Sequence, residues 1–169
     1  MGNRTARATF AACAAALAAL VLAWQLRFVQ DDAFITFLYA RNWVQGHGLT
    51  WFGTRVEGYT NFLWVAWSAL GLRLGADPVA WSQAGGLAAF AATLHATWRL
   101  GTALIGTGFS GLVPLLLLAT NASMLRFATG GLETSLQTAL VAQAVLQLVR
   151  LRAAVARRTA NPGTEAGSK

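Results

Sequence analysis

Residues 8–29 read ATFAACAAALAALVLAWQLRFV, an almost uninterrupted apolar run that ends just before the pair Asp31 and Asp32. A membrane-spanning helix needs about 20 predominantly apolar residues, so this run predicts a first span. Arg4 and Arg7 precede the run, and basic residues are enriched at the cytoplasmic end of a span. A secretory signal peptide is the rival interpretation, but no convincing small-residue cleavage site follows. We therefore expect a retained anchor with a cytoplasmic N-terminus.

The composition of the whole chain agrees with a membrane protein. Of its 169 residues, 56% are hydrophobic and only 11% are charged, with a mean hydropathy of +0.49, whereas soluble domains carry about 25% charged residues. The net charge of +7 would suggest nucleic acid in a soluble protein. Here the basic residues lie between apolar runs and the basic tail has no stacking aromatics, so we expect no nucleic-acid partner.

Three further apolar segments predict spans, at about 79–98, 102–120 and 131–149. The loop 30–78 contains one apolar block, Phe62 to Leu72, which is too short to cross unaided and is expected to be interfacial or re-entrant. The predicted fold class is therefore an all-α integral membrane protein with about four transmembrane helices and an outer loop of short amphipathic helices. A five-span arrangement, in which the short block also crosses, is the alternative.

The distribution of charge orients this arrangement. With four spans, the outer face receives every acidic residue except Glu165, and the cytoplasm receives the arginines that follow position 149. This distribution agrees with the positive-inside rule. We expect a transmembrane module over residues 1–150 and a basic, disordered cytoplasmic tail over residues 151–169, whose arginines can lie against anionic headgroups.

The outer loop begins with an expected amphipathic helix over 33–44, in which polar residues are spaced by three or four positions. Gly46 and Gly48 are expected to end it. Asp31 and Asp32 stand at its start, where they can cap a helix and complement its dipole without any other role.

The other polar residues of the loop also have structural interpretations. Glu57 can pair with Arg55, and Glu133 can serve as a favourable first-turn acid of the last span. His47 lies between two glycines, with no second histidine or cysteine nearby, so it is expected to be a turn residue. Neither a metal nor another cofactor is expected.

Three motifs nevertheless form a longer pattern: DDAFITFLYARN at 31–42 with GHGL at 46–49, VEGYTNFLW at 56–64, and GGLET at 130–134. Together they resemble bacterial GT-C class glycosyltransferases, in particular the group that includes cell-wall arabinofuranosyltransferases and related uncharacterised membrane enzymes. The likeness extends in order from about Asp31 to Leu136, with the apolar helices similar only in character.

The resemblance implies transfer of a sugar from a polyprenyl-phosphate donor to a cell-envelope glycan or lipid acceptor, on the outer face of the bacterial cytoplasmic membrane. It also implies that an acidic residue near the end of the first span is the general base. Carried over by position, that residue is Asp31 or Asp32, with Asp31 favoured. Arginine is suited to bidentate contact with the phosphate leaving group, and the candidates are Arg41, Arg55 and Arg126. The candidates for holding sugar hydroxyls are Glu57, Tyr59, Asn61 and Glu133.

The chain departs from that family in length, because such enzymes run to several hundred residues with about ten or more spans. It is therefore expected to be an amino-terminal part of such an enzyme or a partner of a second membrane subunit. The alternative function is a non-catalytic membrane module that binds lipid-linked sugar or pairs with a second chain. A transporter is disfavoured because the acids cluster at the membrane exit and not at mid-bilayer.

Overall fold

The computed structural model describes residues 2–160 of the chain and shows an all-helical protein, with 76% helix and no named strand in this range. The connections are short except for the segment between the second and third helices. A 3-10 turn at Phe109–Gly111 precedes the fifth helix. The seven α-helices are α1 (Gly2–Gln25), α2 (Asp31–Val44), α3 (Phe62–Arg73), α4 (Pro78–Leu104), α5 (Leu112–Ala119), α6 (Ala122–Phe127) and α7 (Thr134–Ala160).

Local sequence explains where several helices begin. Asp77 caps α4 by accepting a hydrogen bond of 2.8 Å from the Ala80 N–H, and Pro78 occupies the first turn, where its missing N–H costs nothing. Asn121 caps α6 in the same way, through a 3.0 Å bond from the Met124 N–H. Asp31 and Asp32 lie in the first turn of α2, as the sequence predicts.

Two separate packing clusters organise the helices. In the larger one, small residues of α1 meet larger side chains of α4, α5 and α6, such as Phe90, Leu94 and Leu115. The smaller cluster joins α2 to α3 through Tyr39, with Val65 as one of its partners. The helix pair α4 and α7 forms the other main contact of the fold. The predicted short helices of the 30–78 loop are confirmed as α2 and α3, which pack against each other, while α3 also contacts α4.

Within residues 2–160, two helices, α1 and α7, are long and apolar enough to cross a membrane. Only 22% of the most apolar 18-residue stretch of α1, and 11% of that of α7, is buried within the protein. Large apolar side chains stand outward instead, among them Phe10, Leu17 and Val141. Outward-facing apolar surface of this kind marks a surface for lipid or for another protein.

The stretch 102–120, predicted as one span, is not a single helix. The first three of these residues complete α4. Helix α4 contains the predicted span 79–98, but polar side chains occur along it, and it is not one of the two candidate spans. Gly106 and Gly108 then adopt positive φ angles of 129° and 102°, which no regular right-handed helix accommodates. The remaining α5 is only eight residues long.

The predicted disordered tail is also wrong over residues 151–160, because α7 continues without a break to Ala160. This part of the chain is rich in alanine and arginine, which are good helix formers, and it contains neither glycine nor proline. The rest of the predicted tail, residues 161–169, lies outside the described residues.

Candidate functional site

Three segments that are distant in sequence line one cleft of about 340 Å³, here named the acid cleft. They are the first turns of α2, the segment that leads into α3, and the turn that precedes α7. The cleft therefore lies where the three motifs of the sequence pattern meet. Its lining residues are Asp32, Ile35, Thr36, Gly58, Tyr59, Thr60, Asn61, Leu132 and Glu133.

The turn before α7 is fixed to the rest of the site by backbone and side-chain hydrogen bonds. The Gly130 carbonyl accepts a bond of 3.0 Å from the Gln30 N–H, and the Gly131 carbonyl accepts a buried bond of 2.8 Å from the Trp64 indole N–H. Gly131 has a φ of +85°, and a Cβ added there would lie 2.9 Å from the Ala33 Cβ. A side chain at this position would therefore be strained and would press on α2, so glycine allows the close approach of the turn to that helix.

Glu133 is held in place by the Asn61 side chain. The Asn61 amide nitrogen donates to Glu133 Oε2 at 2.7 Å and to Thr36 Oγ1 at 3.1 Å. A bond to a carboxylate is stronger than one between neutral groups, so this contact fixes the carboxylate orientation. The amide oxygen of Asn61 is buried and has no hydrogen-bond partner among residues 2–160.

The two aspartates of α2 occupy different positions. Both are exposed, but Asp32 lines the acid cleft while Asp31 does not. Asp31 lines a neighbouring depression of about 410 Å³, formed by residues 28–32, in which Asp32 also takes part. Asp32 thus stands at the boundary of the two spaces and is the aspartate that shares a cleft with Glu133.

A second cleft, of about 460 Å³ and here named the loop cleft, shares the Tyr59 side of the acid cleft. The segment that forms its floor is pinned by the fully buried Tyr39, whose hydroxyl donates to the Val56 carbonyl at 2.8 Å and accepts from the Gly58 N–H at 3.1 Å. A Cβ on Gly58 would come within 2.7 Å of that hydroxyl. The loop cleft is lined by Trp43, Gly48, Leu49, Arg55, Val56, Glu57 and Tyr59.

A third space is an apolar groove of about 700 Å³ between α3, α4 and α7. Trp67 and Trp81 stack at 4.6 Å on its wall, and the Trp81 indole N–H donates to the Trp67 carbonyl at 2.9 Å. Leu63 and Leu136 of its lining are in the first turns of α3 and α7, directly after the segments that line the acid cleft. The other lining residues are Trp64, Ala66, Leu70, Ala84, Gly85, Ala88 and Ala89.

The structure gathers most of the residues singled out from the sequence, but not all of them. Asp32, Tyr59, Asn61 and Glu133 meet in the acid cleft, and Arg55 and Glu57 join Tyr59 in the loop cleft. The others are Asp31, which lies just beside the acid cleft, and Arg41 and Arg126, which are exposed and line neither cleft.

Thr36, Trp64 and Gly131 also contribute to the site, although the sequence analysis assigned no site role to them within their motifs. Thr36 follows Asp32 by four positions, a spacing that predicts a shared helix face, and both residues line the acid cleft. The Trp64 bond to Gly131 joins positions far apart in the chain and has no local signal.

Comparison with family models, curated proteins and solved structures found no match to this chain. Within residues 2–160, no group of three or more histidine, cysteine or acidic side chains is arranged to hold a metal ion. The acid cleft presents two carboxylates, a phenol and an amide to one small space. Such a set can accept hydrogen bonds from hydroxyl groups and can take a proton from one of them.

Proposed function

We propose that this chain is a membrane glycosyltransferase, or the amino-terminal module of one, which transfers a sugar from a polyprenyl-phosphate donor to a cell-envelope acceptor. The observation that carries the proposal is the convergence of the three motif segments in the acid cleft. Asp32 and Glu133 are about a hundred positions apart in the chain, yet they line the same space. A resemblance that rested on chance would give no reason for its motifs to meet.

In the proposed reaction, an acceptor hydroxyl attacks the anomeric carbon of the donor sugar. The carbon–oxygen bond to the phosphate breaks, and the bonding pair leaves with the polyprenyl phosphate. The hydroxyl proton passes to a carboxylate that acts as general base, which contributes about 10²–10⁴-fold to such a step. We assign this role to Asp32 and not to Asp31, because Asp32 lines the acid cleft.

Glu133 and Asn61 have a positioning role in this proposal. Glu133 keeps one carboxylate oxygen on the Asn61 amide, so its orientation is set before a sugar arrives. Carboxylate oxygens accept hydrogen bonds only, which suits a group that holds sugar hydroxyls. Binding to a pre-ordered group costs less conformational entropy than binding to a mobile one.

The apolar groove supplies a place for the isoprenoid tail of the donor. It is lined almost entirely by hydrocarbon and indole side chains, and its lining residues Leu63 and Leu136 are two and three positions along the chain from Asn61 and Glu133 of the acid cleft. A lipid tail in this groove would place the attached phosphate and sugar at the level of Glu133. With α1 and α7 crossing the bacterial cytoplasmic membrane, and both chain termini in the cytoplasm, the cleft would open to its outer face.

One observation favours a second candidate function, a membrane module that binds lipid-linked sugar or pairs with a second chain without catalysis. No cationic side chain lines the acid cleft among residues 2–160, although a phosphate leaving group needs positive charge nearby. Arg55 lies in the adjoining loop cleft. A binding module needs only recognition of the sugar, and a partner subunit would then supply the cation.

The test is transfer by the full chain in lipid nanodiscs. Pentose and hexose polyprenyl phosphates with a radiolabelled sugar would be offered with cell-envelope glycan as acceptor. We expect label to appear in the glycan, a loss of about 100-fold or more for Asp32→Asn, and a smaller effect for Asp31→Asn. Donor binding without transfer would favour the non-catalytic module. If neither donor bound nor reacted, the proposal would be wrong.

A further inference from the structure

We propose that the loop cleft is the subsite for the acceptor glycan, where neutral sugar residues of the acceptor bind next to the residue that receives the transferred sugar. This inference rests on the proposed function and adds to it the place and chemical class of the acceptor. It starts from a geometric fact: Tyr59 lines both the loop cleft and the acid cleft. A chain of sugars in the loop cleft could therefore extend past this one side chain to Asp32.

The walls of the loop cleft suit a sugar ring. Trp43 and Tyr59 each contribute an aromatic ring to its lining. The C–H face of a sugar packs against such a ring with removal of apolar surface from water. Both rings pack against aromatic neighbours. The ring centroid of Trp43 lies 5.7 Å from that of Phe62, and the ring centroid of Tyr59 lies 4.9 Å from that of Tyr39 and 6.5 Å from that of Phe62. The aromatic surface is thus in place before the ligand binds.

The charges of the loop cleft favour a neutral ligand with many hydroxyl groups. Arg55 supplies only hydrogen-bond donors and Glu57 only acceptors, so together they can satisfy hydroxyls that both donate and accept. Their formal charges cancel. A phosphate group would gain from Arg55 but would meet repulsion from Glu57, so this cleft is a poorer site for the donor phosphate than for a glycan.

The backbone around the cleft is held independently of any ligand. Tyr39 pins residues 56–58 through two hydrogen bonds, and the Asn42 amide donates to the Thr50 carbonyl at 2.7 Å. Trp51 and Thr54 exchange backbone hydrogen bonds of 2.8 and 2.9 Å. These contacts order a long loop, so acceptor binding does not have to provide that ordering.

The experiment measures glycan binding without requiring transfer. The full chain in nanodiscs is titrated with soluble arabinofuranan, mannan and glucan oligosaccharides, and binding is followed by saturation-transfer NMR. We expect wild type to bind at least one of these probes, and Arg55→Gln and Glu57→Gln each to weaken that binding by about tenfold or more, which is a common cost of losing one charged hydrogen bond. Both side chains are exposed, so folding should be preserved. Arg73→Gln, an exposed arginine at the end of α3, is the matched control and should bind as wild type does.

Three results would overturn the inference: no binding of any oligosaccharide by wild type, unchanged binding in both loop-cleft variants, or displacement of bound glycan by inorganic phosphate. Failure of the proposed function gives a different pattern. If glycan binding depends on Arg55 and Glu57 but no sugar is transferred, the subsite stands and catalysis does not. If transfer occurs and the loop-cleft variants keep the wild-type acceptor KM, the subsite is wrong and catalysis stands.

Discussion

The Asn61 side-chain amide donates a hydrogen bond of 2.7 Å to Glu133 Oε2, although the two residues are separated by 72 positions in the chain. The same nitrogen reaches Thr36 at 3.1 Å, so one amide joins α2, the segment before α3 and the turn before α7. Because these are the segments that line the acid cleft, the stability and the shape of the cleft should both depend on this amide.

The first prediction concerns that amide. Asn61→Ala should lower the free energy of unfolding by about 1–3 kcal/mol, since it removes a hydrogen bond to a carboxylate. Asn61→Asp should be more destabilising at neutral pH, because it sets a second carboxylate against Glu133. Thermal denaturation of both variants at neutral pH, followed by circular dichroism, checks this order. If Asn61→Asp were as stable as Asn61→Ala, the contact with Glu133 would be wrong.

A second prediction isolates the steric requirement at Gly131. Gly131→Ala must adopt a φ of +85° and bring its Cβ to 2.9 Å from the Ala33 Cβ. Gly75→Ala has a similar φ of +75° but meets no atom within 4 Å, so it measures the backbone cost alone, about 1–2 kcal/mol. We expect Gly131→Ala to be clearly the more destabilising of the two in chemical denaturation. If both variants lost the same free energy of unfolding, the contact between the new Cβ and α2 would be relieved without destabilising the protein.

Trp64 gives a third prediction, about the bond that secures the same turn. Trp64→Phe keeps an aromatic ring but leaves the Gly131 carbonyl without its 2.8 Å buried donor, which should cost about 1–3 kcal/mol. Trp24→Phe changes an exposed indole on α1 and should cost little. Melting temperatures of the two variants in the same detergent provide the comparison, and a similar small shift for both would rule out a structural role for the indole N–H.

Phe52 supports a fourth prediction, in the opposite direction. This residue is 79% exposed and has a φ of +45°, the only positive φ of a non-glycine residue between positions 2 and 160. Phe52→Ala removes the side chain but keeps the strained backbone, whereas Phe52→Gly also relieves the strain. The glycine variant should therefore be more stable than the alanine variant by about 1 kcal/mol. If alanine were the more stable, the turn at Trp51–Thr54 would not be strained.

Local signals account for the parts of this structure that could be predicted from sequence. The Asp pair, the spacing of polar residues and Gly46 were sufficient to place α2, and the short apolar block was sufficient to place α3. Apolar composition misled over 102–120, because it carries no information about the positive φ angles of Gly106 and Gly108. The basic composition of residues 151–160 led to a prediction of disorder, but this stretch is helical, because its helix-forming residues outweigh the repulsion between arginines.

The site itself needed the tertiary structure. The motifs predicted which segments carry polar groups, but no periodicity relates Asn61 to Glu133 or Trp64 to Gly131. The preference between Asp31 and Asp32 also depends on the rotation of α2 relative to the turn before α7, which packing determines and local sequence does not. Arg41 and Arg126 are exposed and line neither cleft. Their contacts with a phosphate group therefore stay predictions.

Helix α7 is continuous, so it fixes the distance between the acid cleft and the basic residues farther along the helix. It begins directly after Glu133, and its first basic residue is Arg150, about 25 Å farther along at 1.5 Å per residue. In the proposed orientation, Arg150 is drawn to the cytoplasmic headgroups of a hydrocarbon layer about 30 Å thick. Membrane thickness then sets the height of Glu133 in the opposite leaflet. Lipids with longer or shorter acyl chains should therefore change the depth at which the acid cleft meets a lipid-borne sugar.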